Sequence, residues 1–459
     1  MAHVKCAMIT GHTRPGSMND LFIRVHDKLP LFKISLGRQM VLYTPGLSYK
    51  TADIPIRELQ SFFMNPSGIS DIELRGPIMN LLEKAEDAER KWEFQGQEPF
   101  VPECLTIHVG NDCNLDCEYC YAAIDGTGNR NLKGFPGSEV ITASLEFIAE
   151  RPGGNSKRLT VAYHGSGEPT LHWNRLTDTC DYIEQYARRK EIQLFTYIAT
   201  NGCLDEEQID WLAKHIDLIG ISCDGPPDIQ IAQRRSGQKK YPPIEKVCKR
   251  ILYRGGMFDI RVTVTRNTVL RMPEITDYLI EKCRARSIRM EPVYLAGDRA
   301  FREEDAEVFV DQLNKSKTIA SSHGAGLSYS GIRLGEIHGT YCDVSRNTVR
   351  VTADSKARNC FCFMNDRKEF ITGGYNDLTS SFSLTADINE LKRKAHMIPA
   401  ECFKCINVYH CSRGCPDFCL FENGYNKQQQ FNPFRCRLHQ LITVDHAIAS
   451  AKNFEITGL

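Results

Sequence analysis

The chain has 459 residues, 42% of them hydrophobic and 25% charged, with 57 Lys and Arg against 57 Asp and Glu; this is the make-up of a folded protein of about three domains. The balanced charge excludes the basic field of a nucleic-acid binder and gives an anionic membrane nothing to attract. No apolar run approaches the roughly 18 residues of a membrane-spanning helix, and Met1–Arg14 lacks the apolar stretch of a secretory signal, so a cytoplasmic protein with no nucleic-acid or membrane partner is expected.

Residues 1–95 read as a small α+β domain. Strand-like segments stand at Phe22–Val25, Phe32–Ser35 and Met40–Tyr43, followed by helical stretches at Arg57–Met64 and Ile78–Trp92. Within residues 96–300, six short runs rich in β-branched residues alternate with amphipathic stretches: Leu105–Val109, Leu159–Tyr163, Leu194–Ala199, Leu218–Ser222, Ile260–Thr265 and Ile288–Tyr294. Runs this apolar are expected to be buried on both faces, which predicts a parallel sheet covered by helices. Six βα units can close partly into a barrel or lie open; in either arrangement the active site belongs at the C-terminal ends of the strands. A charged, helix-compatible stretch, Phe301–Lys317, opens a linker over residues 301–335. Residues 336–459 are rich in Asn, show little periodicity and hold nine of the cysteines. Such a segment needs something other than an apolar core to hold it.

The 19 cysteines are odd in number and spread over a long chain. That is unlike a secreted disulfide scaffold; thiols in a reducing compartment bind metal or do chemistry. Directly after the first strand of the central domain stands Cys113-Asn-Leu-Asp-Cys117-Glu-Tyr119-Cys120. Three thiolates on one short loop can ligate three irons of a [4Fe–4S] cluster and leave the fourth iron open, whereas zinc asks for a fourth protein ligand close by. A zinc loop or buried core thiols are the competing readings.

This loop resembles the signature of the radical S-adenosylmethionine (SAM) enzymes, in which SAM chelates the open iron. Gly165-Ser166-Gly167-Glu168-Pro169 after the second strand is similar to that family's glycine–glycine–glutamate motif, with Ser166 in place of the first usual glycine. There the glycines let the backbone approach the ligand and the carboxylate holds an ammonium group. Thr200-Asn201-Gly202 after the third strand resembles a turn near the sulfonium and ribose. After the fourth, Ser222-Cys-Asp224-Gly225-Pro226 with Arg234 resembles a pattern in which a serine or aspartate contacts SAM and an arginine pairs its carboxylate. The resemblance thus implies SAM and one [4Fe–4S] cluster held by Cys113, Cys117 and Cys120, with Tyr119, Ser166, Gly167, Glu168, Asn201, Ser222, Asp224 and Arg234 as SAM-binding candidates. It also implies a 5′-deoxyadenosyl radical able to abstract an unactivated hydrogen. The fold it implies is α/β, a partial (β/α)6 barrel.

The C-terminal cysteines run Cys342, Cys360, Cys362, then Cys402-x2-Cys405-x5-Cys411-x3-Cys415-x3-Cys419, and Cys436. This resembles the SPASM extension of radical SAM maturases, which holds two auxiliary [4Fe–4S] clusters. The resemblance implies Cys402, Cys405, Cys411 and Cys436 for one cluster and Cys342, Cys360 and Cys415 for the other. Cys362 and Cys419 are the candidates for its fourth ligand, and an open site for a substrate thiolate is the alternative. A pair of zinc sites is the competing reading. Ser355 stands where the glycine five residues before the second cysteine is usual, so its turn must be kept by other means. Cys180, Cys248 and Cys283 fall on apolar helix positions and Cys104 and Cys223 abut strands, as buried thiols do.

In the resembling enzymes such clusters accompany modification of residues within polypeptides. The expected substrate is therefore a ribosomally made precursor peptide, leader plus core, in which a thioether or carbon–carbon cross-link is installed. Residues 1–95 are open to two readings, a winged-helix domain that binds the leader as an added strand or an N-terminal elaboration that covers the barrel, and an external one-electron donor such as flavodoxin or ferredoxin is implied. Full-length protein clients of the sulfatase or quinone-cofactor type are the alternative. Sulfatase maturases tend to carry an aspartate immediately after the second SPASM cysteine, and here Phe361 and Cys362 follow Cys360. From another class altogether, a non-catalytic metal-binding scaffold would use the same cysteines. The spacing gives no catalytic base: Asp366 and Glu291 are read as structural carboxylates, and His164 and His172 as structural histidines.

Overall fold

The computed structural model describes residues 21–69, 71–120, 134–150, 158–234, 243–293, 299–338, 347–358, 371–385, 388–412 and 432–453. The chain forms two compact units. One comprises Met1–Trp92, Ile398–Tyr409 and Gln440–Leu459, the other Glu93–Met397 and His410–His439.

The first unit begins with β1 (Ile23–Arg24), β2 (Phe32–Leu36), β3 (Gln39–Thr44) and β4 (Leu47–Ala52), followed by α1 (Ile56–Met64) and α2 (Ile72–Gln97), whose last turns enter the second unit. The strand β4 was not anticipated. It follows from Pro45-Gly46, where proline fixes one turn position and Gly46, at φ +83°, takes the next, so the chain doubles back in register from Thr44↔Leu47 to Gln39↔Ala52. Met40, Leu42 and Tyr49 of this meander pack with Leu59 and Phe63 of α1 and Leu74, Ile78 and Leu81 of α2 in one apolar core. Lys33 is buried and is matched by Asp53 at 2.8 Å and the Ile54 carbonyl at 2.6 Å.

The second unit is built on β5 (Cys104–Ile107), β6 (Arg158–Tyr163), β7 (Gln193–Thr200), β8 (Leu218–Ser222), β9 (Phe258–Val264) and β10 (Ser287–Pro292). These are the six expected strands, and they pair in parallel in that order. The intervening helices are α3 (Ser138–Ala149), α4 (Trp173–Arg189), α5 (Glu206–His215), α6 (Pro227–Gln233), α7 (Ile244–Tyr253) and α8 (Met272–Glu281). Beyond β10, α9 (Asp305–Ser322) leads to β11 (Gly326–Ser328), which adds in parallel at that edge.

Register divides the central sheet into two unlike faces. Leu105, Ile107, Val161, Tyr163, Ile198, Ile219, Ile221, Ile260, Val262 and Met290 occupy one face and are almost wholly buried. The opposite face carries Thr106, Tyr197, Gly220, Ser222, Asp259, Arg261, Arg289 and Glu291. The apolar face meets the helices, as α3 on β5 and α4 on β7 show. The sequence reading expected burial of both faces by apolar side chains; the structure assigns that role to one face only.

At the other edge β12 (Thr348–Val351) pairs in parallel with β5, and β13 (Lys356–Arg358), β14 (Ile371–Asn376) and β15 (Ser381–Leu384) continue as antiparallel hairpins. The chain ends through α10 (Ile388–His396), α11 (Pro433–Ser450) and β16 (Lys452–Asn453), the last pairing with Tyr49 and Lys50 of β4 inside the first unit. The helix-compatible stretch at Phe301–Lys317 is α9, and over residues 336–459 little regular structure was expected, because strands of three to six residues show no readable period. The β12–β13 turn answers the missing glycine: Ser355 sits at φ +62°, the left-handed region, and its N–H bonds the Thr352 carbonyl at 3.0 Å. Among the described residues no helix is long and apolar enough to cross a membrane.

Because this turn holds a non-glycine residue in left-handed geometry, Ser355→Gly should leave the melting temperature unchanged or slightly raised. Ser355→Val should cost about 1–2 kcal/mol, measured by thermal unfolding of both variants. Equal stability of all three proteins would contradict the strained turn.

Candidate active site

The motif residues meet at the C-terminal ends of the parallel strands. The loop leaving β5 carries Asn111 and Asp112 into Cys113, and the loop leaving β6 is fastened to it: Glu168 N–H donates to the Asp112 carbonyl at 2.8 Å. A Cβ at Gly167 would stand 2.4 Å from the carbonyl oxygens of both Gly110 and Asp112, so only glycine lets the two loops touch. The expectation was a glycine approached by ligand; the structure places this one against the chain's own backbone. Ser166, in the usual glycine position, is accommodated by His108, whose Nε2 accepts from Ser166 N at 3.1 Å and lies 3.3 Å from its hydroxyl. Burial pushes His108 down to about 3, helped by Arg350 and Arg358, so it stays neutral and keeps an acceptor nitrogen.

Glu168 is 2% exposed. Its Oε1 accepts from Thr170 N at 3.2 Å, Thr170 Oγ1 at 2.8 Å and Thr200 Oγ1 at 2.8 Å; its Oε2 accepts from Asn201 N at 2.7 Å. A carboxylate offers about four lone-pair directions, two on each oxygen. Oε1 is saturated, and Oε2 retains room for one more donor, as an ammonium group requires. Burial raises the Glu168 pKa against the pull of these bonds, so an added cationic donor is favourable there. Asn201 turns from Glu168 to the cysteine loop, its Nδ2 2.7 Å from Asn114 Oδ1 and 3.9 Å from Cys113 Sγ.

Asp224, at the end of β8, is completely buried. It receives the Tyr119 hydroxyl, Arg234 through Nε at 3.0 Å and Nη2 at 3.2 Å, Gln233 Nε2 at 3.0 Å and Thr263 N at 2.9 Å. Five donors leave this carboxylate no lone pair for SAM. Its geometry is that of an anchor which holds Arg234 and Tyr119 in place, with the Arg234 guanidinium 5.6 Å from the centre of the Tyr119 ring. Ser222 stands beside it as the last residue of β8.

The cysteine thiols lie close enough to influence one another. Burial pushes Cys117 up to about 12, with Arg234 opposing and the charges of Cys120, Asp224 and Cys113 adding to the rise; Cys113 is raised by burial first, and Glu168 and Cys120 contribute. Thiols in this state become stable thiolates only beside added positive charge, which an iron–sulfur cluster or a metal ion supplies. Among the described residues no three His, Cys, Asp or Glu side chains converge as ligands of a single ion, and the donor chemistry of the loop suits a cluster that spreads its ligands over several irons. Sequence reading left Cys203 unassigned. Its N–H donates to Asn201 Oδ1 at 2.9 Å, which places it at this site, and burial pushes its thiol up to about 12, with Glu168 and Cys113 contributing; its place one residue after Asn201-Gly202 at a strand end was the available signal. His172 Nε2 lies 3.3 Å from Asp112 Oδ2, and Glu291 accepts from Ser330 N at 2.8 Å, each within the fold.

Of the C-terminal cysteines, Cys402 and Cys405 form a turn in the first unit, with Cys405 N bonded to the Cys402 carbonyl at 3.0 Å and Gln440 Nε2 3.8 Å from Cys405 Sγ. Cys411 and Cys436 belong to the second unit, and Cys411 Sγ is 3.1 Å from His439 Nδ1. Cys342, Cys360, Cys362, Cys415, Cys419 and Asp366 lie outside the described residues. Cys180, Cys223, Cys248 and Cys283 are buried, as expected; Cys104 is half-buried in β5.

Residues 107–281 match the family described as the radical SAM superfamily. This part of the chain is therefore a radical SAM domain, and the family implies SAM and a [4Fe–4S] cluster as its cofactors. The cysteine-type anaerobic sulfatase-maturating enzyme of Clostridium perfringens is 28% identical over 180 residues, 38% of this chain and 47% of that protein. The enzyme of the same description from Clostridium novyi is 32% identical over 135 residues, 29% and 35% of the two chains. The chain thus spans about half the length, or less, of these curated relatives. Among solved structures, native anSMEcpe with bound AdoMet has a TM-score of 0.62 at 20% identity, covering 75% of this chain and 98% of that one. Streptococcus suis SuiB bound to precursor peptide SuiA has a TM-score of 0.52 at 14% identity, covering 91% and 98%. Both likenesses show a common fold.

If Asp224 is the anchor of this site, Asp224→Asn leaves the buried Arg234 without its counter-charge and should lower unfolding free energy by about 3–5 kcal/mol, read by chemical denaturation. A loss under about 1 kcal/mol would mean that the cysteine loop is held by other contacts.

Proposed function

We propose that the protein is a radical SAM maturase that abstracts hydrogen from a residue of a ribosomally made precursor peptide and installs a cross-link, thioether or carbon–carbon. The observation that carries the reading is the placement of Glu168, Asn201 and the Asp224–Arg234 pair around the Cys113–Cys120 loop at the strand ends. Bound there, the cluster and SAM supply a 5′-deoxyadenosyl radical. The residues of the chain do the rest: Glu168 Oε2 takes the amino group of SAM, Asp224 fixes Arg234 and Tyr119, and the fastened loops keep the thiols in place.

The C-terminal cysteines extend the proposal. Cys402, Cys405, Cys411 and Cys436 hold one auxiliary [4Fe–4S] cluster. Cys342, Cys360 and Cys415 hold a second, completed by Cys362, Cys419 or a substrate thiolate, and a one-electron donor of the flavodoxin or ferredoxin class feeds the system. Residues 1–95 serve as the peptide-recognition element and residues 336–459 as the SPASM domain. The meander supports this role, since among the described residues β1 and β16 each cover two residues of the strands they border, and backbone donors and acceptors at a sheet edge can take an added peptide strand. A full-length protein client is the second reading, and the similarity of the barrel to sulfatase-maturating enzymes favours it.

Anaerobic metal analysis should find iron with matching sulfide; zinc without sulfide would support a non-catalytic scaffold instead. Cys113→Ala should abolish formation of 5′-deoxyadenosine, and persistence of that product in the variant would sink the assignment. Cys405→Ala should retain SAM cleavage but lose peptide product. The peptide reading is tested by the intact mass of short peptides encoded beside the gene after anaerobic co-expression: loss of hydrogens in pairs, dependent on Cys113, is expected. Unchanged masses would shift the search to a protein client.

A further inference from the structure

The polar face of the central sheet carries more basic groups than the binding of SAM uses. In register across β12, β5, β9 and β10, Arg350 stands beside Thr106, Arg261 beside Ser222, and Arg289 beside Arg261. Arg358 ends β13, on the same face as Arg350, because Ala357 pairs with Val351 on the other. The Arg261 guanidinium of β9 reaches across β8 and lies 5.1 Å from the ring centre of Tyr197 on β7. Gly220, on the strand between them, makes this possible, since a Cβ there would collide with the Tyr197 hydroxyl at 1.9 Å.

We propose that this polar face is a carboxylate-binding surface, on which Arg261, Arg289 and Arg358 receive an acidic side chain or the terminal carboxylate of the polypeptide to be modified. The proposal rests on the maturase reading above and names the chemistry of its substrate. Two observations point to a ligand. The Arg358 side chain is 1% exposed; one of its nitrogens meets Asp354, while its Nε and Nη1 have no hydrogen-bond partner among the described residues. The buried Tyr197 hydroxyl likewise has none, and burial, eased by Arg261, pushes it up to about 12, so it remains a donor. Buried donors in native proteins are nearly always satisfied, and those left over mark an absent partner.

Among the described residues, no carboxylate on this face reaches the open Arg358 nitrogens or the Tyr197 hydroxyl. Asp354 is held by Thr352 Oγ1 at 2.5 Å and by Arg358, Asp259 stands 3.9 Å from Arg261 Nε, beyond hydrogen-bond reach, and Glu291 accepts from Ser330 N. Lys356 adds a further cation 3.5 Å from Asp354. His108 lies near Arg350 and Arg358 and bonds Ser166 of the strand-end motif, so a carboxylate held here lies next to the strand-end site. A guanidinium fork matches a carboxylate in geometry as well as charge.

The test uses the anaerobically reconstituted holoenzyme with saturating SAM, so that the carboxylate of SAM is already placed. It is offered capped octapeptides, randomised except for a central Glu or its isostere Gln, and a second pair of pools with free or amidated C-terminus. Bound peptides are separated by rapid gel filtration and counted by mass spectrometry. The Glu pool should be recovered about tenfold over the Gln pool, and the ratio should fall towards one in Arg358→Gln and in Arg261→Gln. Preference for the free terminus alone would identify the chain end as the source of the carboxylate. Equal recovery of all four pools by the unsubstituted enzyme overturns the proposal. The ratio is internal to each preparation, and Arg261, the more exposed of the two, carries the test if Arg358→Gln does not fold. Formation of 5′-deoxyadenosine by the same preparation is read separately: its absence defeats the maturase reading whatever the peptides show.

Discussion

The buried carboxylate of Asp224 receives hydrogen bonds from Tyr119 of the cysteine loop, from Gln233 and Arg234 at the end of α6, and from the backbone of β9 at Thr263. Three segments distant in sequence are thereby fixed to one residue at the tip of β8. A second stitch, Glu118 N–H to the Gln233 carbonyl at 3.0 Å, runs parallel to it. The loop between Cys113 and Cys120 has no regular structure of its own to hold three thiols in position, so their spacing depends on these contacts. A buried ion pair is costly to assemble and contributes little net stability, yet it is highly destabilising to break. Here it serves position: with Arg234 and Tyr119 clamped, Cys117 lies beside a fixed positive charge, and the thiol that burial disfavours as an anion has one compensating neighbour.

The same logic governs Glu168. A carboxylate that sequence spacing suggests as a ligand for an ammonium group is, in the folded chain, mainly an acceptor for Thr170, Thr200 and the Asn201 backbone. These bonds join the ends of β6 and β7 and aim the remaining acceptor direction. Catalytic sites gain from such support, because donors and acceptors locked by the fold need no reorganisation when a ligand arrives.

How much of this was legible in the sequence follows from the range of each interaction. The six parallel strands were readable because runs such as Leu218-Ile-Gly-Ile-Ser222 are compact and apolar. The cysteine loop and the strand-end motifs were readable because their ligands are local. The roles inside the site were not, because they depend on partners far away: Asp224 is 105 residues from Tyr119, and Glu168 is 33 residues from Asn201. Gly167 was rightly singled out for a close approach, but the atoms approached are carbonyls of the chain itself. The strands after residue 347 escaped notice because they are short and polar, and their register comes from β5 rather than from any pattern of their own.

The two faces of the central sheet give the last link. Alternation along β9 places Ile260, Val262 and Val264 under the helices and Asp259, Arg261 and Thr263 on the other side. A buried polar face is destabilising unless its groups are matched, since each buried donor without an acceptor costs about 1–3 kcal/mol. That Arg358 and Arg261 stand there, beside a tyrosine accommodated by a glycine, means that the stability of this sheet rests on its apolar face and the helices packed on it.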